Sequence, residues 1–220
     1  MLAEVAGGLW RWTARHPEWH PRTAFGAEVA AWLVHEGGGT VLVDPILPEG
    51  DDGELLTALD EMVQGEVAIV VTIPYHVREA AAAASRWGGT ILGHAAVRRR
   101  LPAGAPFRAA APGEALPLGL AVHRIGNPRR QEQPASLPGA RALAFGDAVV
   151  GVDGGLRVWV QEPLDERRER WYRDRLVPSL EPLLELDADR VLVTHGEPVT
   201  AGGREALAAA LAAPPWYHRG

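Results

Sequence analysis

Three segments of this chain end an apolar run on a residue able to bind a cation or move a proton. "VLVDP" reaches Asp44, "LAFGD" reaches Asp147 and "VLVTHG" reaches His195. A buried strand that ends this way delivers its last side chain to the crevice where sheet ends open. Two carboxylates and an imidazole gathered there suit a hard or borderline cation. Singly, each has a plainer reading: Asp44 before Pro45 opens a turn, and Gly196 after His195 marks one. Two more histidines lie beside apolar runs, His76 in "VVTIPYHVREA" and His94 in "LGHAAV". Each is either a further ligand facing the crevice or a hydrogen-bonded structural residue, and the second use is the commoner for a lone histidine near a strand end.

The elements that must position these residues alternate along the chain. "AEVAAWLVHE" and "TVLVDPIL" read as strands joined by a glycine turn. "DDGELLTALDEMV" reads as a helix with Asp51 and Asp52 at its N-terminus and Leu55, Leu56, Leu59, Met62 and Val63 at helical spacing. "VAIVVT" is a buried strand by its β-branched content. "VREAAAAASRW" is a helix stopped by Gly88–Gly89, and "TILGH" is the next strand. "LAVHRI", "RALAFGD" and "GGLRVWV" are strands, with "GNPRRQEQPASLPGA" an insert holding a short strand near 135–137. "LDERRERWYRDRLVPSLEPLLEL" is one long helix or two, interrupted by Pro178 and Pro182. "DRVLVTHG" is a strand and "GGREALAAALAA" the closing helix. This order suits two mixed sheets packed together with helices outside.

Composition narrows the function classes. The chain has 220 residues, which suits one domain spanning 1–220. Its formal net charge of −6 leaves no electrostatic footprint for nucleic acid. It has no cysteine, which excludes disulfides, thiolate nucleophiles and cysteine-ligated zinc. No apolar run is long enough to span a bilayer, and "MLAEVAGGLWRW" has no signal-peptide pattern, so a cytoplasmic protein without a membrane partner is expected.

The order "TVLVDPIL … VAIVVTIPYHVREA … TILGH … RALAFGDAVVG … LLELDADRVLVTHGEPV" resembles the metallo-β-lactamase fold superfamily. The resemblance runs from about Gly7 to the closing helix. It implies a four-layer αββα sandwich, a dinuclear metal site where the two sheets meet, and hydrolysis of β-lactams, thioesters, phosphodiesters or lactones. "LAFGDAVVG" resembles the segment of the bridging aspartate, here Asp147, and "LLELDADRVLVTHG" that of the last histidine, here His195.

The departures concern the ligands. The superfamily reads Thr-His-x-His-x-Asp-His after its strand, whereas this chain reads Thr72, Ile73, Pro74, Tyr75, His76, Val77, Arg78. Ile73 and Tyr75 stand where histidines would be. "GNPRRQEQP", where another histidine ligand normally follows, has none. Arg78 occupies a lost ligand's slot, so it is expected to pair with Asp147 in place of the metal. The early hairpin of this fold borders the groove, which places Trp10 and Trp12 as candidate crevice residues beside Asp44, Tyr75, Arg78 and His94. Two readings of function follow. In the first the metal site is degenerate, no zinc is expected, and the crevice takes a small molecule or a protein partner. In the alternative, His76, Asp147 and His195 form a reduced site for zinc or another divalent cation, and the protein hydrolyses an ester, thioester, lactone or phosphodiester.

Overall fold

The computed structural model describes every residue except 1, 22, 24, 48–52, 128, 162, 164 and 218–220. The first half of the chain lays down a seven-stranded sheet in sequence order: β1 (Ala3–Ala6), β2 (Leu9–Arg15), β3 (Glu28–Glu36), β4 (Gly39–Val43), β5 (Val67–Val71), β6 (Thr90–Gly93) and β7 (Phe107–Ala109). Pairing is antiparallel up to β4 and parallel from there. The local sequence explains the change. Gly37 and Gly38, at φ 55° and 84°, make the two-residue turn between β3 and β4 that only residues tolerant of positive φ can form. Parallel neighbours instead need a crossover, supplied by α1 (Glu54–Met62), by α2 (Ala80–Trp87) and, between β6 and β7, by the 3₁₀ segment Ala95–Arg100. Asp51 and Asp52, expected at the start of α1, lie outside the described residues.

The second half gives β8 (Ala121–Val122), β9 (Ala135–Leu137), β10 (Ala142–Ala144) and the hairpin of β11 (Val149–Val152) with β12 (Gly155–Val158). A broken helical run follows: α3 (Glu166–Trp171), a π-helical turn over Tyr172–Leu176, α4 (Val177–Leu180) and a 3₁₀ turn over Glu181–Glu185. Pro178 and Pro182 each fall at the start of a new piece, because proline offers no N–H to a continuing helix. Then come β13 (Arg190–Leu192) and α5 (Gly203–Ala212), and the second sheet runs β13-β10-β9-β8.

Side-chain alternation along the strands produces the layers. On β3, Ala30, Trp32 and Val34 pack with Leu137, Ala142, Ala144 and Leu192 between the sheets. Val29, Ala31 and Leu33 pack on the other face with Leu59, Ala80, Ala83 and Ala84 of α1 and α2. Leu143, Val191 and Val193 turn away from the first sheet toward Leu180, Leu207 and Leu211. The outcome is the expected αββα sandwich.

Register then sets where the polar strand ends lie. β4 and β5 are parallel with Val43 opposite Val70, so Asp44 and Thr72 leave the sheet side by side. β10 and β13 are parallel with Ala144 opposite Leu192, so residues three further on, Asp147 and His195, emerge together. A bond from Ala30 N–H to the Thr194 carbonyl (2.8 Å) clips the two sheets at this edge.

Candidate metal centre

Asp44 is the innermost polar group of this edge, 1% exposed. Its Oδ1 accepts the Thr72 N–H at 2.8 Å, and its Oδ2 accepts the Thr72 hydroxyl at 2.5 Å and the Thr194 hydroxyl at 3.4 Å. Oδ2 also lies 2.9 Å from His76 Nδ1. In the neutral imidazole, a carboxylate at that distance keeps the proton on Nδ1 and leaves the lone pair of Nε2 facing outward. His76 reaches inward because Pro74–His76 form a single 3₁₀ turn, opened by proline, that points Tyr75 to solvent and His76 to the interior.

His76 Nε2 lies 3.2 Å from Asp147 Oδ1, and His195 Nε2 lies 3.3 Å from the same oxygen. Neither contact has hydrogen-bond alignment: Asp147 Oδ1 and both ring nitrogens of His195 are buried without a hydrogen-bond partner among the described residues. The three ligand atoms lie within 4.8 Å of one another. Donors held tetrahedrally at about 2.0–2.1 Å from a cation sit roughly 3.3 Å apart, so separations and chemistry both fit one divalent ion. Among the described residues no second set of donors fits another, since Ile73 and Val77 are apolar, Tyr75 is 66% exposed and Arg78 is cationic.

The electrostatics agree with a site built around negative charge. Burial and Arg78 push the His76 pKa down, but Asp147 and Asp44 outweigh them and hold it at about 9. Burial raises Asp147, yet His76 and His195 together keep it well below the usual carboxylate range. Burial lowers His195, with Asp147 opposing.

Asp147 is aimed by a residue that sequence reasoning missed. Glu132 is fully buried, and its Oε1 accepts three consecutive backbone N–H groups, from Gly146 (3.0 Å), Asp147 (3.0 Å) and Ala148 (2.9 Å). Burial raises its pKa to about 7, against the pull of Arg129. Arg129 Nη1 donates to Asp147 Oδ2 at 3.4 Å, with its guanidinium 4.3 Å from the Trp159 ring. Gly146 is needed where it stands, because a Cβ there would meet the Thr72 hydroxyl at 2.7 Å. Glu132 and Arg129 come from the insert "GNPRRQEQP". Nothing periodic marks them, and the one signal was a lone acidic residue in an arginine- and glutamine-rich loop.

A groove of about 1270 Å³ opens onto the cluster, bordered by His16, Phe25, Tyr75, Arg78 and Trp159 among others. Tyr75 and Arg78 are among the residues that line this groove, and four other crevice candidates are not. Asp44 sits behind His76 and orients it, outside the groove lining. His94 caps the turn Ala95–Arg100 by accepting the Ala96 N–H, and it is not among the residues lining the groove. Trp12 is 1% exposed in the layer between sheet and helices, its indole N–H donating to the Ile46 carbonyl. Trp10 packs edge-on against His35. Strand alternation sends both tryptophans to the helix-covered face.

Arg78 does not pair with Asp147. Its backbone adopts φ 38°, and Nη1 donates instead to the carbonyls of Asp44 (2.9 Å) and Ala30 (3.2 Å). The guanidinium thus stitches the end of β4 to β3. Arg78→Ala is expected to cost about 1–3 kcal/mol in denaturant unfolding, the penalty for leaving buried acceptors unpaired. Loss of less than half a kcal/mol would show the stitch to be idle.

No protein-family model and no curated protein sequence matches the chain. Solved structures do match. A metallo-β-lactamase from Pontibacter korlensis aligns at a TM-score of 0.65 and 17% identity, covering 97% of this chain and 99% of that one. A metallo-β-lactamase from Erythrobacter litoralis aligns at 0.65 and 18%, covering 96% and 94%. The FIM-1 enzyme of Pseudomonas aeruginosa, solved in its mono-zinc form, aligns at 0.62 and 14%, also covering 96% and 94%. These likenesses span both sheets and their flanking helices over nearly the full length of each chain, and so the chain has the metallo-β-lactamase fold.

Proposed function

We propose that this protein is a metal-dependent hydrolase that works with a single divalent cation held by His76, Asp147 and His195. The observation that carries this reading is the convergence of Asp147 Oδ1 with the Nε2 atoms of both histidines, at 3.2 and 3.3 Å and without hydrogen-bond alignment. It favours the alternative of the two sequence readings over the metal-free one. When bound, such a cation polarises a carbonyl or phosphoryl oxygen and lowers the pKa of a water. The chain's own residues do the rest. Asp44 holds the His76 tautomer, Glu132 and Arg129 aim Asp147, and Phe25, whose ring lies 4.5 Å from that of His195, shields the cluster on one side. The mono-zinc form recorded for the Pseudomonas aeruginosa enzyme supports a one-cation state for this fold. The groove suits a small-molecule substrate with an ester, thioester, lactone or phosphodiester bond.

A second reading, a metal-free binding protein, draws on Arg129, which already gives Asp147 a counter-charge at 3.4 Å. Elemental analysis of untagged protein purified without chelator separates the two. One equivalent of zinc or a similar metal per chain is expected, falling to near zero in His195→Ala. Hydrolysis of a panel of p-nitrophenyl esters and phosphodiesters should vanish on chelation and return with one added equivalent. Metal-free protein that takes up no zinc on dialysis would overturn the hydrolase reading.

A further inference from the structure

We propose that the substrate is an amphipathic oxyanion: an apolar group joined, through the bond that is cleaved, to a part carrying a phosphate or carboxylate. This rests on the hydrolase reading and names its substrate class.

The polar end is set by two arginines. Arg100 and Arg130 are exposed, both border the groove, and neither has a carboxylate within ion-pair distance among the described residues. Arg100 lies 4.2 Å from the ring of Tyr75, the one exposed large hydrophobic side chain among those residues. Both line the same groove, Arg100 at the end of the turn Ala95–Arg100 and Arg130 in the loop that also carries Arg129 and Glu132. The acids nearer the cluster are already engaged, Glu132 by backbone N–H groups and Asp147 by Arg129 and the histidines. Two exposed guanidiniums that no carboxylate among the described residues pairs with offer an oxyanion charge-assisted hydrogen bonds at the groove.

The apolar end is a second hollow of about 270 Å³, lined by Phe25, Val150, Val152, Trp159 and Trp216. Phe25, Trp159 and His195 border both hollows. The reacting bond therefore sits at their junction, with the apolar group on one side and the anion on the other.

Binding can be tested apart from turnover. The probes are inorganic phosphate, 1-octanol and n-alkyl phosphates from ethyl to octyl. They are titrated by calorimetry and tryptophan fluorescence into zinc-loaded and chelated protein. Affinity of the alkyl phosphates should rise about fourfold per methylene until the hollow is full. Octyl phosphate should bind at least tenfold more tightly than either octanol or inorganic phosphate. The double variant Arg100→Gln/Arg130→Gln, which changes only exposed residues, should weaken every alkyl phosphate about tenfold, flatten the salt dependence and leave octanol unchanged. Equal binding of octanol and octyl phosphate, no dependence on chain length, or phosphate binding that needs zinc and ignores the arginine changes would each overturn the proposal. If those results came with zinc-dependent hydrolysis of uncharged esters, the hydrolase reading would stand alone. Binding as expected with no metal-dependent hydrolysis would remove that reading and leave the ligand class.

Discussion

Asp44→Ala should destabilise the metal-free protein by about 3–5 kcal/mol, the cost of removing one partner from a buried ionic network. In the variant that still folds, cation affinity should fall roughly 10–100-fold. The side chain accepts from the Thr72 N–H, the hydroxyls of Thr72 and Thr194, and His76 Nδ1, all in a place that is 1% exposed. Alanine leaves those donors facing a small cavity, and each unsatisfied buried donor costs about 1–3 kcal/mol. The backbone adds to the loss: Asp44 sits at φ 47°, a conformation that aspartate and asparagine tolerate better than alanine. Asp44→Asn separates the two effects. It keeps the size, the backbone preference and one acceptor, so most of the stability should remain. Its amide nitrogen turns a donor toward some of the groups the carboxylate accepted from, which favours the His76 tautomer with its proton on Nε2. Denaturant unfolding and zinc titration of the three proteins test this. An asparagine variant that folds well and binds zinc like the parent would show that Asp44 does not orient His76.

The fold was readable because its signals are local and repeated. Val67–Val71 is apolar on every residue and is buried on both faces, Gly37–Gly38 can only be a tight turn, and α2 stops at Gly88 in the left-handed conformation. The strand-end residues were readable for the same reason, since Asp147 and His195 each follow a short apolar strand by three positions. What the sequence does not display is direction. His76 stands one place away from an expected ligand slot, and only the 3₁₀ turn begun by Pro74 carries its ring inward and Tyr75 outward. Arg78 stands in a ligand slot, yet φ 38° sends its guanidinium to two backbone carbonyls. Trp10 and Trp12 belong to the hairpin expected at the groove, but strand alternation gives them to its helix-covered face. Glu132 was out of reach altogether, because its partners are backbone N–H groups 14 to 16 residues away and no side-chain pattern points at them.

Glu132 therefore supports the second large expected effect. Glu132→Ala should cost about 3–5 kcal/mol in unfolding free energy and should loosen the cation site, although the residue donates no ligand atom to it. Three consecutive N–H groups, from Gly146, Asp147 and Ala148, converge on its Oε1, forming the kind of backbone concavity that holds an anion. These donors lie at a position where Gly146 is pressed against Thr72, which leaves little room for the loop to collapse onto the gap. With alanine the three groups lose their shared acceptor, and the loop that aims Asp147 Oδ1 at His76 and His195 loses its anchor. Glu132→Gln should behave differently. Its amide oxygen still accepts the three N–H groups, and the buried Oε2, which makes no hydrogen bond among the described residues, is the atom replaced by nitrogen. The cost there should be about 1 kcal/mol, mainly from placing an amide nitrogen 3.9 Å from Arg129 Nη1. Unfolding measured on both metal-free variants gives the stability difference, and zinc titration gives the effect on the site. If glutamine proved as damaging as alanine, the negative charge of Glu132 rather than its hydrogen bonds would be what holds Asp147. If neither variant lost stability, the loop would owe its position to the packing of Phe145 and Ala148 between the second sheet and its helices.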